Sequence, residues 1–230
     1  MSAELLNYLS GFVTKQRLDK FDYVLENRTR YISLVCEDIY QSHNASALMR
    51  TCDCFGIQDI HIIETKNSFA INKDVALGAS NWLSIFKYSN LQHKTSPVFQ
   101  ELRSKGYRIV ATTPHKDGIS LNELKLEKGP VSLIFGTEME GLSSAAREEA
   151  DEFLTIDMYG FTESFNVSVS AGIILHYLRM KLMDSDIDWK LTKKEKFLLK
   201  LDWLRKSVKS SNLIEKEFRK NQKSSFGNED

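Results

Sequence analysis

Between Tyr31 and Met183 the sequence alternates short apolar runs, rich in β-branched and aromatic residues, with longer helix-forming segments, and this alternation limits the fold more than any other feature. The strand-like runs are Tyr31–Cys36, Ile60–Ile63, Trp82–Tyr88, Tyr107–Thr112, Val131–Phe135 and Phe153–Ile156. Helical character falls at Asn44–Phe55, Pro97–Lys105, Ser143–Ala150 and Asn166–Met183. Strands separated by helices predict an α/β domain around a largely parallel sheet, because a parallel pair needs a long crossover. Gly56 should stop the first of these helices, since glycine accepts the left-handed backbone that closes a helix end.

Both flanks are helical in pattern. Ala3–Asn27 reads as one helical segment, and beyond Asp188 residues such as Trp189, Leu191, Phe197, Leu201, Trp203 and Leu204 provide the apolar side of further helix. The expected organisation is an N-terminal helical extension over 1–30, the α/β domain over 31–184, a basic C-terminal helical extension over 185–223 and a disordered tail over 224–230. A second independently folded domain is not expected, since neither extension is large enough to build its own core.

The whole chain is neutral, with 31 basic and 31 acidic side chains, so net charge names no partner. Its distribution is more informative: Lys190–Lys223 carries twelve Lys and Arg against four acids, whereas Glu138–Glu152 holds six acids and one Arg. A basic helical tail can follow phosphates, although such a face is also a common way of meeting water. No run of about 18 uncharged apolar residues occurs, and Met1–Ser10 lacks the basic-then-apolar pattern of a secretory signal, so a cytoplasmic protein without a membrane span is expected. Cys36, Cys52 and Cys54 are too few and badly spaced for a metal site, and are expected to be buried thiols.

In an open α/β sheet ligands bind beyond the carboxyl ends of the strands, which directs attention to three segments. The first runs from Gln41 to Cys52: Asn44 suits a helix cap, Ala45, Ser46 and Ala47 permit close approach, and Arg50 requires an anion, with Asp53 as its intrahelical alternative. In the second, a buried strand leads into Gly136-Thr137-Glu138-Met139-Glu140-Gly141-Leu142-Ser143, where two glycines allow a tight turn and Ser143 begins a helix. The third passes through Ile156 and Gly160 to Ser164-Phe165-Asn166 at the mouth of Asn166–Met183, a helix apolar on nearly every side. An ordinary dinucleotide fold is disfavoured, because Cys36–Asn44 contains no glycine.

Asn44 with Arg50, the segment from Phe135 to Ser143, and Ser164-Phe165-Asn166-Val167-Ser168-Val169 resemble, in order and spacing, the three motifs of the SPOU class of SPOUT RNA methyltransferases. The resemblance spans Tyr31 to Met183. It implies the SPOUT fold, an α/β sheet with a C-terminal deep trefoil knot, and a homodimer with active sites at the interface. It implies transfer of a methyl group from S-adenosyl-L-methionine to a ribose 2′-hydroxyl of RNA without a metal. The presence of helical extensions on both sides suits the tRNA enzymes acting on D-loop guanosine 18. The alternatives are another RNA position, in rRNA or at the tRNA wobble base, and a non-catalytic knotted RNA-binding protein.

Carried over by motif position, the resemblance assigns the cofactor to Thr112, Gly136, Ile156 and Phe165, and the chemistry to Arg50 supported by Asn44, Glu138, Ser164 and Asn166. Phe165 is larger than the leucine usual at its position, and Asp157 stands where proline is common. Arg50 is the family's central residue; because a guanidinium is effectively never neutral, its expected role is to clamp the phosphate beside the target ribose and stabilise the developing alkoxide. Proton removal is left to phosphate, Glu138 or water. Lys15, Arg17, Lys20, Arg205, Lys206 and Lys209 are the expected RNA contacts.

Overall fold

Six strands form one sheet: β1 Ile32–Glu37, β2 Asp59–Glu64, β3 Ser84–Ser89, β4 Arg108–Thr112, β5 Val131–Phe135 and β6 Glu152–Leu154. They coincide with the six apolar runs of the sequence, stand in the order β3-β2-β1-β5-β4-β6, and are parallel throughout. This computed structural model describes residues 2–70, 72–89, 95–114, 118–137 and 139–226. By contacts between residues they divide into a unit of Thr29–Trp189 and a second unit built jointly from the two chain ends.

In the first unit, β1 and β5 are buried along their whole length, as expected of central parallel strands covered on both faces. Alternation along β1 separates two cores. Ile32, Leu34 and Cys36 face α3 (Ser42–Cys54) and α7 (Val167–Met183), packing with Leu48, Met49, Ile174 and Leu178. Val35 faces the other way, with Val98 and Phe99 of α5 (Thr95–Ser104) and Ala146 of α6 (Ser144–Glu149). Fully burying a side chain such as Leu133 contributes roughly 1.5–3 kcal/mol, so the sheet centre is the main source of stability. A one-turn helix, α4 (Lys73–Ala76), lies after β2.

Gly56 ends α3 as expected: with φ of 73° it lets Ile57 N–H reach Cys52 O at 2.9 Å and its own N–H reach Asp53 O at 3.2 Å. The start differs from expectation. Gln41 occupies the cap position with no side-chain capping bond, and Asn44 lies inside the first turn. One thiol also departs from expectation: Cys36 and Cys52 are buried, but Cys54 is exposed. Burial pushes the Cys36 thiol up to about 12.

The second unit contains α1 (Ser2–Ser10), α2 (Lys15–Glu26), α8 (Lys193–Ser207) and α9 (Ser211–Phe226). Ala3–Asn27 is therefore two helices; the chain turns at Gly11, and Thr14 caps the second by accepting from Arg17 N–H at 3.3 Å. The pooled ends bury what neither could bury alone. Trp203 is fully buried, with the Phe21 ring edge-on at 5.5 Å and the Arg28 guanidinium 5.6 Å from its centre. A capping box of Thr192 and Glu195 fixes the start of α8. Helix α9 continues to Phe226; residues 227–230 of the expected tail lie outside the described residues.

The strand order places a topological switch between β1 and β5, since the chain leaves β1 toward β2 and β3 while β5, β4 and β6 lie on its other side. In sheets of this kind ligands bind beyond the carboxyl ends of the strands at such a switch.

Candidate active site at the ends of the central strands

The carboxyl end of β1 is held by two acidic residues. Glu37 is 2% exposed. It accepts from Ser143 N–H at 2.9 Å, the Ser143 hydroxyl at 2.7 Å and the Thr95 hydroxyl at 2.6 Å. Asp38 takes the left-handed backbone region, φ 53°, and accepts from the amides of Thr65, Lys66 and Asn67 and the Thr65 hydroxyl. Burial alone would raise its pKa, but these donors outweigh burial and hold the carboxyl below the usual range. The Lys66 ammonium then meets Glu140 at 2.6 Å, joining the loops that follow β2 and β5. Both groups of that pair are well exposed, so it adds little stability.

Beyond β5 the chain folds back sharply. Thr137 and Gly141 exchange two backbone hydrogen bonds of 3.0 Å. A Cβ on Gly136 would lie 2.3 Å from Gly141 O, so no side chain fits there. Gly141, with φ of 69°, occupies the left-handed region that the turn requires. Ser143 caps α6, accepting from Ala146 N–H at 3.1 Å. Thr112, at the end of β4, donates its hydroxyl to Ile134 O at 2.8 Å and ties that strand end to β5.

The loop after β6 delivers Ser164, Phe165 and Asn166 to the start of α7. Asn166 caps the helix by accepting from Ser168 N–H at 2.9 Å, a contact worth about 1 kcal/mol. Its amide also donates to Asn44 Oδ1 at 3.1 Å, and Asn44 donates to Gln41 Oε1 at 3.1 Å. A side chain from the first motif thus meets one from the third across 122 residues of sequence. Met139, Tyr159, Phe161 and Phe165 leave large apolar surfaces exposed around these loops.

The structure joins Asn44 directly to Asn166. Thr112 ends β4, Gly136 and Ile156 follow the ends of β5 and β6, and Ser164 and Phe165 immediately precede the α7 cap. Arg50 is exposed on α3 and makes no hydrogen bond or ion pair among the described residues, so the Asp53 alternative does not hold it. Glu138 lies outside the described residues. The six expected RNA contacts all fall in the helical unit: Lys15, Arg17, Lys20 and Lys209 are exposed, Arg205 pairs with Glu215 at 2.6 Å, and Lys206 pairs with Asp202 at 2.6 Å. An open depression of about 870 Å³ lined by Asn122, Glu127, Tyr177, Lys181 and Asp184 contains none of the motif residues.

Sequence reasoning passed over Glu37 and Asp38. Acids at a strand end suggest only a polar exit to solvent; their donors come from 27 to 106 residues away and carry no local signal. Among the described residues, no three or more His, Cys, Asp and Glu side chains form a group able to hold a metal ion, and no helix is long and apolar enough to cross a membrane.

Residues 31–176 match the model of the SpoU rRNA Methylase family. A tRNA (guanosine(18)-2′-O)-methyltransferase of Borreliella burgdorferi is 40% identical over 210 residues, covering 91% of this chain and 94% of that protein. The crystal structure of the Aquifex aeolicus TrmH/SpoU tRNA modifying enzyme superposes with a TM-score of 0.75 at 29% identity, over 85% of this chain and 98% of that one. An AdoMet-bound rRNA methyltransferase from Sinorhizobium meliloti shares the fold at 24% identity, with a TM-score of 0.58 over 68% of this chain and 59% of that one.

Proposed function

The chain belongs to the SpoU rRNA Methylase family, and from that premise we propose that it transfers a methyl group from S-adenosylmethionine to the ribose 2′-hydroxyl of guanosine 18 in tRNA. The observation that carries this reading is the Asn44–Asn166 hydrogen bond, which brings the first and third motifs together beside the switch in strand order. tRNA is favoured over rRNA because the 210-residue similarity to a guanosine-18 enzyme exceeds the 31–176 segment and so takes in helical extension.

The residues at these strand ends suit the cofactor. Gly136 and Gly141 expose backbone without side chains, half-buried Ile156 and exposed Phe165 offer apolar surface to an uncharged ring, and Thr112 keeps the end of β4 in place. Bound there, S-adenosylmethionine supplies a methyl carbon already activated by the adjoining sulfonium. The protein has to align the ribose oxygen with that carbon and assist loss of its proton. Arg50, exposed and without an internal partner among the described residues, clamps the phosphate beside the ribose and stabilises the developing alkoxide. Asn44 and Asn166 fix the relation of α3 to the loop that carries Ser164, and phosphate, Glu138 or water takes the proton.

The same reading includes the trefoil knot, action in the cytoplasm, where tRNA substrate resides, and a homodimer. Support for the homodimer comes from α7, where Val169, Tyr177, Met180 and Met183 form an exposed stripe at helical spacing. The decisive experiment incubates the purified protein with isotopically labelled S-adenosylmethionine and tRNA transcript, then maps label by mass spectrometry of ribonuclease fragments. Label is expected on the ribose of guanosine 18. Label confined to another position would replace the substrate, and cofactor binding with no transfer to any RNA would favour the non-catalytic alternative.

A further inference from the structure

The buried carboxylate of Glu37 contributes no motif atom, yet two of its three hydrogen bonds hold the segment that completes the turn after β5. Two of them go to one residue, Ser143, through its backbone N–H and its hydroxyl. Ser143 closes the return leg Gly141-Leu142-Ser143. That leg is the backbone against which Gly136 sits with no room for a Cβ. The position of Gly136 is therefore set by the return leg, and the return leg is anchored at Ser143 by Glu37. The third bond, to the Thr95 hydroxyl, fixes the carboxylate from the side of α5.

A carboxylate taken out of water is costly unless hydrogen bonds replace its hydration. Here the replacements come from two separate elements, and the rotamer of Glu37 is fixed by both. A buried group held this way transmits position rather than charge.

We propose that Glu37 is a positioning residue for cofactor binding, holding the return leg Gly141–Ser143 so that the backbone at Gly136 presents a preformed edge to S-adenosylmethionine. The proposal rests on the methyltransferase reading, in which Gly136 meets the cofactor. Asp38, one residue on, fixes the loop at Thr65–Asn67, so the end of β1 anchors the segments that follow both β2 and β5.

The test compares Glu37→Gln, Ser143→Ala, their double variant and Thr95→Val with the wild-type chain. Affinity for S-adenosylhomocysteine is measured by titration calorimetry, hydrogen exchange at Gly141–Ser143 by mass spectrometry, and stability by thermal unfolding. Glutamine keeps the shape but replaces three charge-assisted bonds with weaker neutral ones and requires the Ser143 and Thr95 hydroxyls to accept from its amide. Glu37→Gln should fold, weaken the ligand about tenfold or more and speed exchange at Gly141–Ser143. Ser143→Ala should move both readouts the same way, and the double variant should be no worse than Glu37→Gln, because both changes break the same pair of bonds. Thr95→Val should move both readouts the same way but by less than Glu37→Gln, because the two bonds to Ser143 remain.

A folded Glu37→Gln protein with wild-type affinity and exchange would overturn the proposal. If Glu37→Gln does not fold, unchanged affinity in Ser143→Ala would do the same. Failure of the wild-type chain to bind the ligand would instead overturn the methyltransferase reading, and this proposal with it.

Discussion

At the scale of single residues, the site depends on what each side chain lacks as much as on what it touches. Arg50 has neither a hydrogen bond nor an ion pair among the described residues, although an acid stands three positions away in its own helix. An exposed guanidinium costs little to keep, and its planar fork suits the phosphate clamp proposed above. Arg50→Ala should therefore fold and bind cofactor normally but lose methyl transfer by a factor on the order of 100 or more, as for removal of a preorganised donor. Arg50→Lys separates geometry from charge: a fork-dependent clamp stays impaired, whereas a purely electrostatic role is partly restored. Single-turnover methyl transfer at saturating tRNA, with thermal unfolding alongside, measures both. Normal turnover in a stably folded Arg50→Ala protein would move the role elsewhere. Asn44 illustrates the limit of local reading: its residue type suits a cap, but its place inside the first turn of α3 frees its amide for Gln41 and Asn166.

At the scale of elements, α7 has two jobs on different faces. Ala171, Ile174, Leu175, Leu178 and Leu182 are buried in the core shared with α3, while Val169, Tyr177, Met180 and Met183 remain about 38–51% exposed. A stripe of this kind on a helix that is otherwise core is costly in water, and the homodimer proposed above would cover it. Replacing Tyr177 and Met180 together by aspartate should leave the fold intact, since both side chains point outward. It should shift the protein to monomer at micromolar concentration in sedimentation velocity. A wild-type chain that sediments as a monomer under these conditions and is fully active would defeat the dimer reading. The cap at Asn166 links this element to the site, because the residue that starts α7 also donates to Asn44.

At the scale of the whole molecule, the helical unit collects the basic residues proposed to hold RNA, and the structure ranks them. Arg205 is engaged by Glu215 and Lys206 by Asp202, so their charges are partly answered within the unit, whereas Lys15, Lys20 and Lys209 are exposed. Changing Lys15, Lys20 and Lys209 to glutamine should weaken tRNA binding and flatten its salt dependence, by about one unit of slope for each phosphate that is no longer neutralised. Changing Arg205 and Lys206 should have a smaller effect on the slope, and cofactor affinity should stay constant in both sets. An unchanged slope in the triple variant would mean that these charges only solvate a helix face.

The sequence by itself determined the six strands, their alternation with helices and the three loops that carry the motifs. Those signals are local: β-branched runs, helix periodicity and glycines at turns each bias the chain within a few residues. It also carried the family, because Asn44, Arg50, the segment Phe135–Ser143 and Ser164–Asn166 keep their order and spacing. Tertiary structure alone decided which ends meet. The break at Gly11, the start of α3 at Ser42 and the exposure of Cys54 depend on what packs alongside. Nor could local pattern reveal that two weak terminal extensions share a core around Trp203, or that Glu37 reaches Ser143 across 106 residues. A buried hydrogen bond is chosen by which donors the fold brings within about 3 Å, and that choice is not written near either partner.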